Sequence, residues 1–216
     1  RERNRLPWLS RWKILDNLRR SLVEIAQLVM LVAGWALVTV SPLRWTLLTL
    51  GAIAAPWIMS LLLAALRPPL DGSWRAFYGA IGRDAMTSLQ QIGIAVAVLP
   101  HQAWTSVDAI VRTLYRLGIS HRNLLQWQTA SQAERSGTGA FRATWRAMAP
   151  ALLGTGAVVA LAAWIATQRG VDAGALAIGM APLLLLWAAA PAITWRLSAT
   201  HHVEPQLRPS DHPDLE

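Results

Sequence analysis

Five histidines, twelve acidic residues and twelve tryptophans are the side chains of this 216-residue chain whose types could carry chemistry. A metal site needs a second ligand at fixed spacing and usually an acidic partner. None of His101, His121, His201, His202 or His212 has that spacing, and His201–His202 beside Glu204 reads as a solvated linker. With no cysteine, a disulfide framework and a Cys-based zinc site are excluded. Neither a phosphate-binding glycine loop nor a nucleophile elbow is present. Carboxylates are scattered, and a transporter driven by protons or ions normally places one deep in a membrane span. Glu24 is the one candidate, near the start of an apolar run and placed to snorkel. The tryptophans remain. Trp12, Trp45, Trp145 and Trp195 stand at the depths expected of the membrane interface, as in an aromatic belt. Trp35, Trp57, Trp164 and Trp187 fall nearer the middle, where indoles either pack a core or stack on the sugar rings of a saccharide path.

The elements that must position these residues are apolar helices. The chain is 54% hydrophobic and only 15% charged, against about 25% charged in a soluble domain. The excess is gathered in four runs, 22–40, 46–66, 147–167 and 173–195. At about 1.5 Å per residue, roughly twenty apolar residues cross a ~30 Å hydrocarbon layer. The fold expected is therefore all-α and polytopic, with four transmembrane helices in two hairpins and amphipathic interface helices on the cytoplasmic side. The first run is too long for a signal peptide, and no small-residue cleavage site follows it. Ser41–Trp45 turns the first hairpin and Gln168–Asp172 the second. Pro56, Pro182 and Pro191 lie inside spans, where proline removes a donor and bends a helix. Gly154, Gly156, Gly174 and Gly179 allow close helix approach, or mark kinks along a pathway.

Five segments follow: an interface helix over 1–21, a transmembrane hairpin over 22–66, a cytoplasmic stretch over 67–146, a second hairpin over 147–197 and a linker over 198–216. In the first, Trp8, Trp12, Leu15 and Leu18 share one helical face while Arg11, Lys13, Asp16 and Arg19 point elsewhere, the pattern of a helix lying at headgroup depth. A plain basic flank is the alternative. In the third, Ser73 is placed to cap a helix beginning at Trp74. Residues 92–100 are apolar but too short to span, and suit a buried or re-entrant segment. From Pro100 onward Trp104, Val107, Val111 and Leu114 form one stripe, and Asp108, Arg112 and Arg116 form another with i,i+4 pairing. Two or three amphipathic helices are expected there, with a break at Ser136–Gly139.

The net charge of +8 is unevenly placed. Seven basic residues precede the first span, nine lie in the central stretch and two follow the last span, whereas the two hairpin turns hold one each, Arg44 and Arg169. The positive-inside bias puts both termini and the central stretch in the cytoplasm. Anionic headgroups explain the basicity, so no nucleic-acid partner is implied. The residues expected at the membrane interface are Trp12, Lys13, Arg19, Arg20, Trp45, Trp104, Arg112, Arg116, Trp145 and Trp195.

Two stretches carry a family resemblance. Arg11–Leu22 (RWKILDNLRRSL) resembles the segment that follows the glycosyltransferase domain in bacterial cyclic β-1,2-glucan synthases. Leu99–Trp104 (LPHQAW), Asp108–Ile110, Arg112–Arg116 (RTLYR), His121–Leu125 (HRNLL), Trp127–Ala130 and Gln132–Glu134 extend it, and together with the span pattern the resemblance covers nearly the whole chain. The resemblance implies a large inner-membrane enzyme that builds a protein-linked glucan from UDP-glucose, with a divalent metal, and releases it as a ring. Its transferase domain would lie upstream and glucan-trimming domains downstream, as partners in the same chain, with the growing glucan and the bilayer as further partners. No cofactor and no catalytic residue falls within these 216 residues. Arg11–Trp12 is superficially similar to the end of the acceptor motif of processive glycosyltransferases, but Trp8 stands where that motif needs glutamine.

Residue 1 is Arg, and the tail 203–216 is rich in Pro and Asp. Both ends read as cuts through a longer polypeptide, with a processed mature chain as the alternative. The function expected is that of a membrane segment anchoring a glucosyltransferase domain at the inner membrane. A transporter or channel subunit, or a structural anchor for another enzyme, stays open. Orientation is directly testable. In the cysteine-free background, single cysteines at Ser73, Ser136 and Thr200 should resist membrane-impermeant thiol reagents in intact cells; labelling of Ser136 from outside would reverse the topology.

Overall fold

The computed structural model of the chain describes residues 7–37, 41–67, 73–122 and 140–199. The expected turn at Pro68–Gly72, the stretch 123–135, the break at Ser136–Gly139 and nearly all of the linker 198–216 lie outside them. Five α-helices account for almost all of what is described. They are α1 (Trp8–Leu37), α2 (Pro42–Ala65), α3 (Trp74–Tyr115), α4 (Phe141–Gln168) and α5 (Ala173–Ala199). All five are long and apolar enough to cross a membrane. Four were expected.

The extra helix is α3, 42 residues long where several short surface helices were expected. The apolar run 92–100 looked too short because it was bounded by polar residues. No Lys, Arg, Asp or Glu interrupts the longer stretch 85–107, which makes roughly 34 Å of helix. Its middle is core: Val96, Ala97, Leu99, Pro100 and Ala103 are buried, and α3 packs against each of the other four helices. The last turn widens to a π-helical turn, Arg116–Ser120, closed by the His121 amide donating to the Arg116 carbonyl at 2.9 Å. His121 then takes a left-handed conformation, φ 51°, which ends the helix.

Two further boundaries differ from expectation. The basic segment 8–20 is not a separate interface helix, since α1 runs unbroken from Trp8 to Leu37. No glycine or proline interrupts 8–33, so nothing in the backbone stops the helix at the lipid boundary. Pro42 likewise belongs to α2 rather than to the turn before it. It stands in the first turn, where its missing N–H costs nothing.

The second hairpin turn is built as its sequence demands. Gly170, at φ 82°, allows the Val171 amide to reach the Ala166 carbonyl and the Gly170 amide to reach that of Thr167, a Schellman cap. The Asp172 carboxylate then accepts from the Ala175 amide at 2.8 Å and caps α5.

The two hairpins stand side by side with their tight turns at one end. Arg169 Nη2 donates to the Leu37 carbonyl at 3.4 Å, joining the ends of α1 and α4. Thr46, in the second turn of α2, reaches Gly179 in α5. The chain therefore leaves α2 at Leu66–Arg67 and enters α4 at Ala140 at the opposite end, so α3 begins at the end from which α4 later sets out.

Pro100 lies in the buried middle of α3 and removes the backbone donor that would serve the Val96 carbonyl four residues earlier. The indole N–H of Trp187 in α5 donates to that carbonyl instead, at 2.9 Å in a buried setting. Trp187→Phe should leave the carbonyl unsatisfied and lower stability by about 1–2 kcal/mol, read from the thermal midpoint in detergent. Adding Pro100→Ala restores the helix's own donor, so the loss in the double variant should fall short of the sum of the two single changes.

Candidate functional site

The chemistry-bearing side chains sort into three places. The first is the interior. Trp35 and Trp187 are 1% and 3% exposed, and their rings meet at 6.4 Å. The Trp35 indole donates to the Thr46 hydroxyl at 2.9 Å. That hydroxyl lies 2.9 Å from the Gly179 carbonyl and 3.0 Å from that of Pro42. One hydroxyl thus accepts from α1 and donates toward α2 or α5. Trp57 is partly buried against the same core, so three of the four mid-run tryptophans pack helices together. Trp164 faces outward, 60% exposed.

Two glycines permit this proximity. The Trp45 indole lies where a Cβ on Gly34 would be, and its N–H donates to the Met30 carbonyl at 2.9 Å. A Cβ on Gly179 would lie 2.8 Å from the Pro42 carbonyl carbon and 2.9 Å from the Leu43 amide nitrogen. Backbone meets backbone there, as small residues allow in membrane helices.

The second place is the outer rim at each end. Phe141 brings together two of the expected interface residues, packing on Trp145 at 6.3 Å and edge-on to Trp195 at 5.8 Å. Trp12 is exposed on α1, as are Lys13, Arg19 and Arg20. Asp16 accepts from Arg19 at 2.9 Å and from Arg20 at 2.9 Å. The hydrogen bond from Arg19, with the charges of Arg20 and Arg19, holds the Asp16 carboxyl below the usual carboxylate range despite the opposing desolvation. Trp45 belongs to the interior as much as to the rim.

The third place is α3 itself. Trp104 is 47% exposed and lies 3.4 Å from where a Cβ on Gly154 would stand. Both line a groove of about 490 Å³ between α1, α3 and α4, apolar apart from Thr155. Arg112 pairs with Asp108 at 2.8 Å, the i,i+4 pair expected. Arg116 opens the π-helical turn. At the start of α3, Trp74, Phe77 and Tyr78 contact one another. Ser73 stands at the N-cap position without a side-chain cap bond. Glu24, the acidic residue of the first run, is half-buried and makes no ion pair among the described residues. No group of three His, Cys, Asp or Glu gathers among the described residues.

Sequence reading missed the two interhelical centres, Trp187 with Val96 and Thr46 with Gly179. The signal for the first was Pro100, which guarantees a free carbonyl near Val96. Nothing in the sequence says which donor takes it.

These features define a class: an all-helical bundle with membrane-helix character, cross-braced by indole and hydroxyl bonds to backbone carbonyls. No family model matches the chain. It is similar to a segment of the cyclic beta-(1,2)-glucan synthase NdvB of Rhizobium meliloti (strain 1021), 36% identical over 210 residues. That similarity takes in 95% of this chain and 7% of the length of that protein. It agrees with the resemblance drawn from the sequence.

Gly179→Leu should drive α2 from α5 and abolish monodisperse protein in detergent. Gly156→Leu, where a Cβ has open space, should leave the elution profile unchanged.

Proposed function

We propose that this chain is the membrane segment of a cyclic β-1,2-glucan synthase and that it anchors a UDP-glucose-dependent glucosyltransferase domain at the bacterial inner membrane. The observation that carries the reading is the 36% identity to the glucan synthase NdvB along 95% of the chain. Because the chain spans only 7% of that protein's length, the transferase chemistry, with UDP-glucose and a divalent metal, is assigned to the longer polypeptide. The same holds for glucan-trimming domains and for handling of the growing glucan.

In this reading all five helices lie within the bilayer, and α3 runs through the bundle from the end where α2 leaves toward the end that holds the two hairpin turns. The geometry supports it. Ala97 clusters with Met148 and Trp104 lies against Gly154, so α3 advances alongside α4 toward the hairpin turns, while α2 ends and α4 begins at the opposite end. Among the described residues Arg11, Lys13, Arg19, Arg20, Arg67, Arg75, Arg83, Arg142, Arg146 and Arg196 lie toward the end away from the hairpin turns, whereas Arg112, Arg116 and Arg122, expected on that same side, follow α3 to the end that holds Arg44 and Arg169. The end with ten of these fifteen residues is the one that the positive-inside bias favours for the cytoplasm. A basic face also holds anionic headgroups, at roughly 1 kcal/mol per residue near the surface, which keeps an attached soluble domain close to the bilayer.

Membranes containing the full-length polypeptide, given radiolabelled UDP-glucose, should incorporate label into acid-precipitable protein that chases into a soluble neutral glucan. No incorporation by well-expressed, folded protein would remove the synthase reading and leave a membrane anchor.

A further inference from the structure

The helix at the centre of the bundle is polar on its outer side. Val96, Ala97, Leu99, Pro100 and Ala103 form its buried face. On the opposite face, at helical steps of three and four, stand Thr87, Gln91, Gln102, Thr105 and Arg112, all exposed. Ile94 and Val98 interrupt the stripe between Gln91 and Gln102. From Thr87 to Thr105 it runs roughly 27 Å, close to the ~30 Å hydrocarbon thickness.

Its height in the bundle is fixed by its neighbours. Val96 meets Trp187 near the middle of α5, and Leu99 joins the cluster that holds Ile53 and Trp35. Gln91 and Gln102 lie within five residues of that level. There the other helices turn bare leucine outward: Leu153 is 75% exposed and Leu185 72%, which suits lipid. The two threonine hydroxyls are satisfied within α3, by the Arg83 and Gln102 carbonyls. The amides of Gln91 and Gln102 have no partner among the described residues. An unpaired amide facing hydrocarbon is costly, and polar side chains in membrane helices face protein or a water-filled cavity.

We propose that this stripe of α3 is an interface, covered in the intact protein by further membrane-inserted helices of the same polypeptide. The inference rests on the reading above that the chain is one segment of a much longer protein, of which its relative has about fourteen times the matched length. The partner helices are expected to present amide, hydroxyl or small side chains. A glutamine amide both donates and accepts, and such pairs join helices where lipid cannot compete. Between Asp84 and Asp108 α3 carries no carboxylate, lysine or arginine, and its one imidazole there, His101, is half-buried beside the stripe.

The test uses the full-length polypeptide in lipid membranes with its remaining cysteines removed, which costs this segment nothing because it has none. Nitroxide labels are placed at Gln91→Cys and Thr105→Cys, and at Leu153→Cys and Leu185→Cys as lipid-facing references. The stripe positions should collide at least fivefold less with dissolved oxygen than the references, and no more with a water-soluble nickel chelate. Oxygen collision equal to the references would put the stripe in lipid and overturn the proposal. Nickel collision there would reveal a wet or polysaccharide-bearing path and overturn it equally. A benzophenone side chain at Gln102 gives an independent readout: adducts mapping to peptides outside residues 1–216 support the interface, and adducts only with lipid refute it. Glucan synthesis by the same membranes, assayed alongside, separates failure of the interface from failure of the synthase reading.

Discussion

A single missing N–H organises the bundle. Pro100 sits in the buried middle of α3, and the carbonyl it leaves free, that of Val96, has no water to turn to. In lipid such a group must find a protein donor. Trp187 supplies one at 2.9 Å, and a bond of that kind fixes three things together. It sets the depth of α3 against α5, the rotation of α3 about its axis, and the rotamer of the largest side chain in the core. Trp187 then meets Trp35, and Trp35 bonds Thr46. The line of contacts continues to Gly179 in α5, so α1, α2, α3 and α5 are each tied to another helix by a polar bond to backbone or hydroxyl.

Association of helices in lipid lacks the hydrophobic drive available in water and depends on close packing and interhelical hydrogen bonds. This protein uses both at one location. Gly179 brings the α5 backbone against the start of α2, and the Thr46 hydroxyl exploits that proximity. Gly34 does the same for Trp45. The abundance of tryptophan, which from sequence allowed a saccharide path, is largely structural: Trp35, Trp45 and Trp187 each spend their N–H on another helix or hairpin partner. Of the mid-run indoles, Trp164 alone among the described residues is open to its surroundings.

The functional reading joins two asymmetries. Among the described residues more basic side chains lie at the end of the bundle away from the hairpin turns than at the other, and polarity runs along one side of α3. The first is what a segment needs if soluble domains of the same polypeptide are to be held at the cytoplasmic surface. The second marks where a bundle of this size would meet the rest of its protein. Similarity to a segment of a much longer glucan synthase gives both asymmetries a common setting.

By itself the sequence determined the all-helical class, the two hairpins and the chemistry of the second turn, whereas Pro42–Trp45, expected in the first turn, belong to α2. Runs of about twenty apolar residues can satisfy their backbone in lipid only as helices, and Gly170 with Asp172 encodes its turn locally. The Asp108–Arg112 pair and the exposed basic flank of α1 were legible for the same reason, since i,i+4 spacing is a property of one helix. What only the tertiary structure decided was the fate of the central stretch. Judged by its own hydropathy, 92–100 was too short to span and the residues around it too polar to insert. Four surrounding helices cover its apolar face, and one indole satisfies its proline-freed carbonyl, so a helix of 42 residues forms where separate surface helices were expected. The partner for that carbonyl lies 91 residues away, and no local pattern encodes a contact of that range.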